Sequence, residues 1–156
     1  VINPVETLSN SIKSVALNII RQTGIRTAKI VPVSDPKTFD PSEHGLSPPF
    51  FIREDQHHGG PMLRVESPDD LKRIPWERFA RPAAVEWINV QGEDGYFRKY
   101  RYFMMNDSGV PRHLAIAKDW CVHAEDRVFS PIHQEEELRY TQLARDPRSG
   151  FITCCK

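Results

Sequence analysis

Apolar positions recur at three-to-four spacing near the start of the chain: Val5, Leu8, Ile12, Val15, Ala16, Ile19 and Ile20. That period predicts one amphipathic helix, capped by Asn3 with Pro4 at its first position and Glu6 at its third. Gly24 stops it. An apolar strand is expected over 28–33. The stretch 34–49, rich in proline, serine and aspartate, reads as a surface loop. A buried strand is expected at 50–53, ending at the polar run Glu54 to Gln56, and a glycine turn at 57–60. A short extended piece follows at 62–65. Ser67-Pro68-Asp69-Asp70 then opens a helix, with cap, proline and acidic first turn in place.

In the second half the period changes to two. A strand is expected at 83–90 and a long one at 96–105. Alternation in the long strand puts Tyr96, Arg98, Tyr100, Tyr102 and Met104 on one face, and Phe97, Lys99, Arg101, Phe103 and Met105 on the other. Asn106-Asp107-Ser108-Gly109 is a hairpin turn, the return strand covers 110–117, and a charged helix covers 135–144. The tail beyond Arg145 has a weak pattern. Hairpins mixed with helices make the fold class α+β, with antiparallel sheets and helices, rather than an alternating parallel sheet. The division expected is 1–123 as the working portion and 124–156 as a C-terminal helix and tail.

Charge and cysteine usage narrow the function. Among 156 residues, 21 are Lys or Arg and 21 are Asp or Glu. A neutral chain has no general pull toward nucleic acid or anionic membrane, so a bound phosphate needs a local cluster of cations. No apolar run approaches the roughly 20 residues that cross a bilayer, and no secretory signal opens the chain. Val1 rather than Met stands first, which is read as a processed piece or a fragment. The three cysteines, Cys121, Cys154 and Cys155, form no disulfide framework, and the compartment expected is the cytoplasm. Zinc needs four ligands at suitable spacing, which a tail Cys pair and scattered histidines do not supply.

Three constellations carry chemistry. Arg53 followed by His57-His58-Gly59-Gly60 can grip a phosphate: the arginine neutralises charge, and the glycines let backbone N–H groups approach. The same residues equally suit a surface turn with an ion-paired arginine. Val85-Glu86-Trp87-Ile88 offers backbone groups beside a flat apolar wall, or plain core packing. The basic strand Arg98-Lys99-Tyr100-Arg101-Tyr102 places Lys99 and Arg101 together on one face. Its tyrosines could also form a platform for single-stranded nucleic acid, which the zero net charge disfavours. His57, His58, His113 and His123 form no helical metal pair, and Cys121 with His123 is a poor thiol pair because residues two apart need not meet.

Read in order, these pieces resemble the ATP-grasp superfamily over about residues 2–123. The likeness rests on Lys13 and Thr23-Gly24-Ile25, Phe51-Ile52-Arg53 with His58-Gly59-Gly60, the capped Ser-Pro-Asp-Asp-Leu helix, Val85-Glu86-Trp87-Ile88, and the strand pair around Arg98, Arg101 and His113 with Asp119-Trp120 beyond. The resemblance implies the N-terminal and central portion of such a fold, and ATP with magnesium used to activate a carboxylate for attack by an amine or thiol. It implies that Lys13 and Arg53 hold phosphates, that His58, Gly59 and Gly60 form the flap, and that Glu86, Trp87 and Ile88 read adenine. Asp94 is then the ribose contact, with Glu93 beside it as the other choice, and Arg98, Arg101 and His113 face nucleotide or substrate. The sequence departs from the family in its two flap histidines. It also lacks, after His123, the acidic strand pair that holds magnesium: Glu135, Glu136 and Glu137 are consecutive on a helix and point in different directions. No magnesium ligand and no catalytic residue is identified. The expected partners are ATP and an unassigned carboxylate, with a partner chain or a further C-terminal region completing the site. The rival readings are a non-catalytic nucleotide-binding module and a single-strand nucleic-acid binder.

Overall fold

The computed structural model describes residues 5–56, 60–105, 108–123 and 125–143. The chain divides into two compact units on either side of the Ile88–Asn89 junction.

The first unit is a four-stranded antiparallel sheet with a helix. Its strands are β1 (Ile30–Pro32), β2 (Phe50–Glu54), β3 (Met62–Val65) and β4 (Pro82–Glu86), in the order β1-β4-β2-β3. Alternation along β2 sends Phe50, Ile52 and Glu54 to the buried face and leaves Phe51 and Arg53 half-buried on the other. Phe50, Ile52, Val65 and Ala84 form the core with Val33, Leu46 and Phe79. The proline-rich stretch is therefore more than a surface loop: Leu46 is buried and Phe39 packs against the same cluster. β4 is shorter than the expected strand and ends at Glu86, so Trp87 follows the last paired residue.

The single amphipathic helix expected at the start is two segments. A 3-10 helix spans Val5–Ser11, and α1 (Lys13–Gln22) begins after Ile12, whose backbone is extended. The break has a physical cause. The Asp55 carboxylate accepts hydrogen bonds from the Ser14 N–H at 2.9 Å and the Ser14 hydroxyl at 2.6 Å, so a buried side chain from the end of β2 caps α1 in place of a local cap. Asn3 and Pro4 lie outside the described residues. Gly24, at φ +85°, follows the last turn, as a helix-stop glycine should. The segment opened by Ser67 is 3-10, Pro68–Arg73, with Asp70 accepting from the Ser67 N–H at 2.9 Å.

The second unit is a hairpin with a helix. β5 (Phe97–Met105) and β6 (Ser108–Ala117) pair antiparallel, with a register shift between Arg101 and Tyr102. α2 (Pro131–Leu143) packs on β6, burying Tyr140 with Leu114 and Ile116. The three glutamates diverge as their helical spacing requires: Glu135 pairs with Arg139, Glu136 with Arg98, and Glu137 with Arg127.

Candidate functional site

In the first unit the polar chemistry gathers where β2 meets the start of α1. Lys13 is pinned there twice: its backbone N–H and its Nζ both donate to the Asp55 carbonyl, each at 3.1 Å. Burial pushes the Lys13 ammonium below the usual lysine range, and the positive charge of Arg53 pushes it further, against the pull of Asp55 and Glu54. Asp55 follows Glu54, the last residue of β2, so its bond from Nζ sets the Lys13 ammonium beside the strand end that carries Arg53.

Three carboxylates of this unit bind backbone N–H groups. Glu54 is buried and accepts from the Ala80 N–H at 2.9 Å and the Arg81 N–H at 3.0 Å. Asp55 caps α1, as described above. Glu86 accepts from the Lys29 N–H at 2.8 Å, so its carboxylate ties β4 to the residue before β1. The sequence reading missed Asp55, taking Glu54 to Gln56 as a strand end. The sequence offered no direct signal for it, because Asn3 already supplied a cap for the single helix expected there.

Beside the cations stands an aromatic wall. The Phe51 and Trp87 rings meet edge to face, with centroids 5.0 Å apart and planes at 61°. Phe51 opposes Val85 in the sheet, and Trp87 lies two residues beyond Val85. Phe51, Arg53 and this wall therefore share the half-buried side of the sheet, while Ile88 is exposed. Of the expected flap, His58 and Gly59 lie outside the described residues. Gly60 is described, and it sits so close to β2 that a Cβ there would be 2.9 Å from the Glu54 Cβ.

In the second unit Arg98 faces α2. It is bracketed by Asp94 and Glu136, each with a 2.6 Å contact, which holds the Asp94 carboxyl well below the usual carboxylate range. Tyr96 meets the His133 ring and Tyr100 meets Tyr140, so these two tyrosines also contact α2 rather than standing as an open stacking row. Arg101 and His113 oppose each other across the hairpin. Burial, then the neighbouring Arg101 and Arg127, push His113 below the usual histidine range. Cys121 Sγ and His123 Nε2 do meet, at 3.1 Å, although their spacing alone gave no reason to expect it.

Among the described residues, no group of three or more His, Cys, Asp or Glu side chains could hold a metal ion. Among those residues, no helix is long and apolar enough to cross a membrane.

No protein-family model matches the chain, and no curated protein matches it. Solved structures do. A carboxyaminoimidazole ribonucleotide synthase from Aspergillus clavatus, complexed with ATP, matches with a TM-score of 0.53 at 18% identity, over 90% of this chain and 40% of that one. An L-amino acid ligase from Bacillus licheniformis matches with a TM-score of 0.55 at 14% identity, over 95% and 37%. The ATP-grasp ligase PsnB, complexed with a minimal precursor, matches with a TM-score of 0.50 at 15% identity, over 92% and 47%. The chain thus spans less than half the length of each of these proteins. At such identities the likeness is one of fold, and the fold is shown: this chain is built as part of an ATP-grasp-like structure.

Proposed function

We propose that the chain is the ATP-binding part of an ATP-grasp-like carboxylate-amine or carboxylate-thiol ligase, and that it is not catalytically complete by itself. The observation that carries the reading is the contact of Lys13 with Asp55, just past the strand end that carries Arg53, together with the Phe51–Trp87 wall on the Arg53 side of the sheet. Lys13 and Arg53 hold phosphates, the turn ending at Gly60 covers them, and Trp87 with Ile88 and the Glu86 backbone receives the base. Arg101 and His113 are the second unit's candidates for nucleotide or substrate, since Arg98 and Asp94 already neutralise each other. Phosphoryl transfer needs magnesium held by correctly placed carboxylates. None of the residues described here is assigned that task, so a further region or a partner chain supplies it. The carboxylate substrate is unassigned.

The test is an ATP titration with and without magnesium, on wild type and Arg53→Ala. Wild type should bind, and Arg53→Ala should weaken binding roughly tenfold to a hundredfold, the worth of one charge-assisted hydrogen bond. No binding at millimolar ATP, or equal binding by the variant, overturns the reading. Binding indifferent to magnesium moves it to a non-catalytic nucleotide-binding module.

A further inference from the structure

β3 contributes one basic side chain, Arg64, to the face that carries Phe51 and Arg53. The register pairs Phe51 with Arg64 and Arg53 with Met62, so the two arginines are diagonal neighbours across adjacent strands. Long side chains in that relation come within reach of one another. The Arg64 guanidinium carbon lies 4.2 Å from the centroid of the Trp87 ring. Its ion-pair partner is Glu66, with Nε 2.8 Å from Oε1; the Arg64 side chain is 30% exposed and that of Glu66 is 61% exposed.

The ion pair with Glu66 is well exposed and screened by water, and a pair of that kind contributes little. What fixes Arg64 is the Trp87 ring, through a cation–π contact that orients the guanidinium without consuming its N–H donors. A planar cation held on an aromatic wall, with an exchangeable carboxylate, is prepared for a phosphate.

We propose that Arg64 is a third anion-binding group of this site, and that it takes the phosphate nearest the base of a bound nucleotide, exchanging Glu66 for ligand oxygens while Trp87 holds it in place. The assignment to that phosphate follows from position: Arg64 touches the wall that receives the base, whereas Arg53 lies farther along β2. This inference rests on the nucleotide reading above.

The test compares adenosine, AMP, ADP and ATP on wild type and Arg64→Met, with thermal unfolding of both proteins as the control. Methionine keeps an apolar stem over Trp87 and removes the charge. The variant should bind adenosine as wild type does, and should bind AMP, ADP and ATP each roughly tenfold to a hundredfold more weakly. Arg64→Lys should recover part of that loss, since it restores charge without the planar fork. Equal affinity of wild type and Arg64→Met for AMP overturns the proposal. So does an equal loss for adenosine and AMP, which would make Arg64 a packing residue of the wall. Wild type that binds ATP but fails either comparison leaves the nucleotide reading standing; wild type that binds none of the four removes both.

Discussion

Asp55 and Ser14 are joined by two hydrogen bonds, at 2.9 and 2.6 Å, with both residues buried. This contact couples the strand that ends beyond Arg53 to the helix that begins at Lys13, so it sets the distance between the two cations of the candidate site. Asp55→Ala removes both bonds to a charged acceptor and leaves the Ser14 donors in a dry place. It should lower stability by about 1.5–3 kcal/mol, measured by urea unfolding. Asp55→Asn, which keeps one acceptor, should lose less. ATP affinity of the folded fraction should fall in both variants, although neither removes a cation; an Asp55→Ala protein as stable as wild type would show that the cap does not hold α1.

The Lys13 ammonium lies below the 10.5 usual for lysine, through burial first and Arg53 second. A bound polyanion favours the charged form. ATP affinity should therefore hold at neutral pH and fall as pH rises through the lowered value. The sign for folding is opposite. The unfolded chain holds this proton more tightly, so the charged ammonium opposes folding at neutral pH, and stability recovers as pH rises from the lowered value to 10.5. Calorimetric titrations from neutral to about pH 10 should show the decline in wild type and a weaker, flatter profile in Lys13→Met. Identical profiles in the two proteins would remove Lys13 from the site.

How far the sequence carried this reading differs by level. The segment 50–53 was legible as a strand from its apolar run, but it was expected to be buried, whereas Phe50 and Ile52 lie inward and Phe51 and Arg53 are half-buried on the other face. The diverging partners of Glu135, Glu136 and Glu137 were legible from helical spacing. What was not legible came from long-range pairing. The break at Ile12 depends on Asp55, 43 positions on, and local apolar spacing continues across it undisturbed. Arg64 comes to the Phe51 face through the β2–β3 register, and Arg98 pairs with Glu136, on a helix no strand pattern could place beside it.

Arg98 separates a clamp from a contact. It bridges Asp94 on the turn before β5 and Glu136 on α2. Arg98→Met should loosen α2 from the hairpin and lower stability by roughly 1 kcal/mol, while ATP affinity changes less than in Arg101→Ala. A double-mutant cycle with Glu136→Gln should show coupling. The Asp94 carboxyl, held below its ordinary 3.8 by Arg98, contributes stability that is present above 3.8 and lost only as pH falls through the lowered value. A larger loss of ATP affinity than of stability in Arg98→Met would return this residue to the ligand.

Gly60 tests whether the end of the flap is coupled to the strand beneath it. A Cβ there would stand 2.9 Å from the Glu54 Cβ, the rigid root of a buried side chain rather than a flexible tip. Gly60→Ala must therefore move the backbone at Gly60 or displace Glu54, and overpacking of this kind lowers stability by about 1–3 kcal/mol. Displacing Glu54 weakens its bonds from the Ala80 and Arg81 N–H groups. Hydrogen exchange at those two amides should then quicken in Gly60→Ala, out of proportion to the rest of the sheet. A binding defect in any bulkier variant at this position, such as Gly60→Val, has to be read against that change, because a lost flap and a shifted β2 both move Arg53. Normal exchange at Ala80 and Arg81 with weakened ATP binding would assign the defect to the flap alone; quickened exchange with unchanged binding would show that the turn ending at Gly60 touches the strand and not the nucleotide.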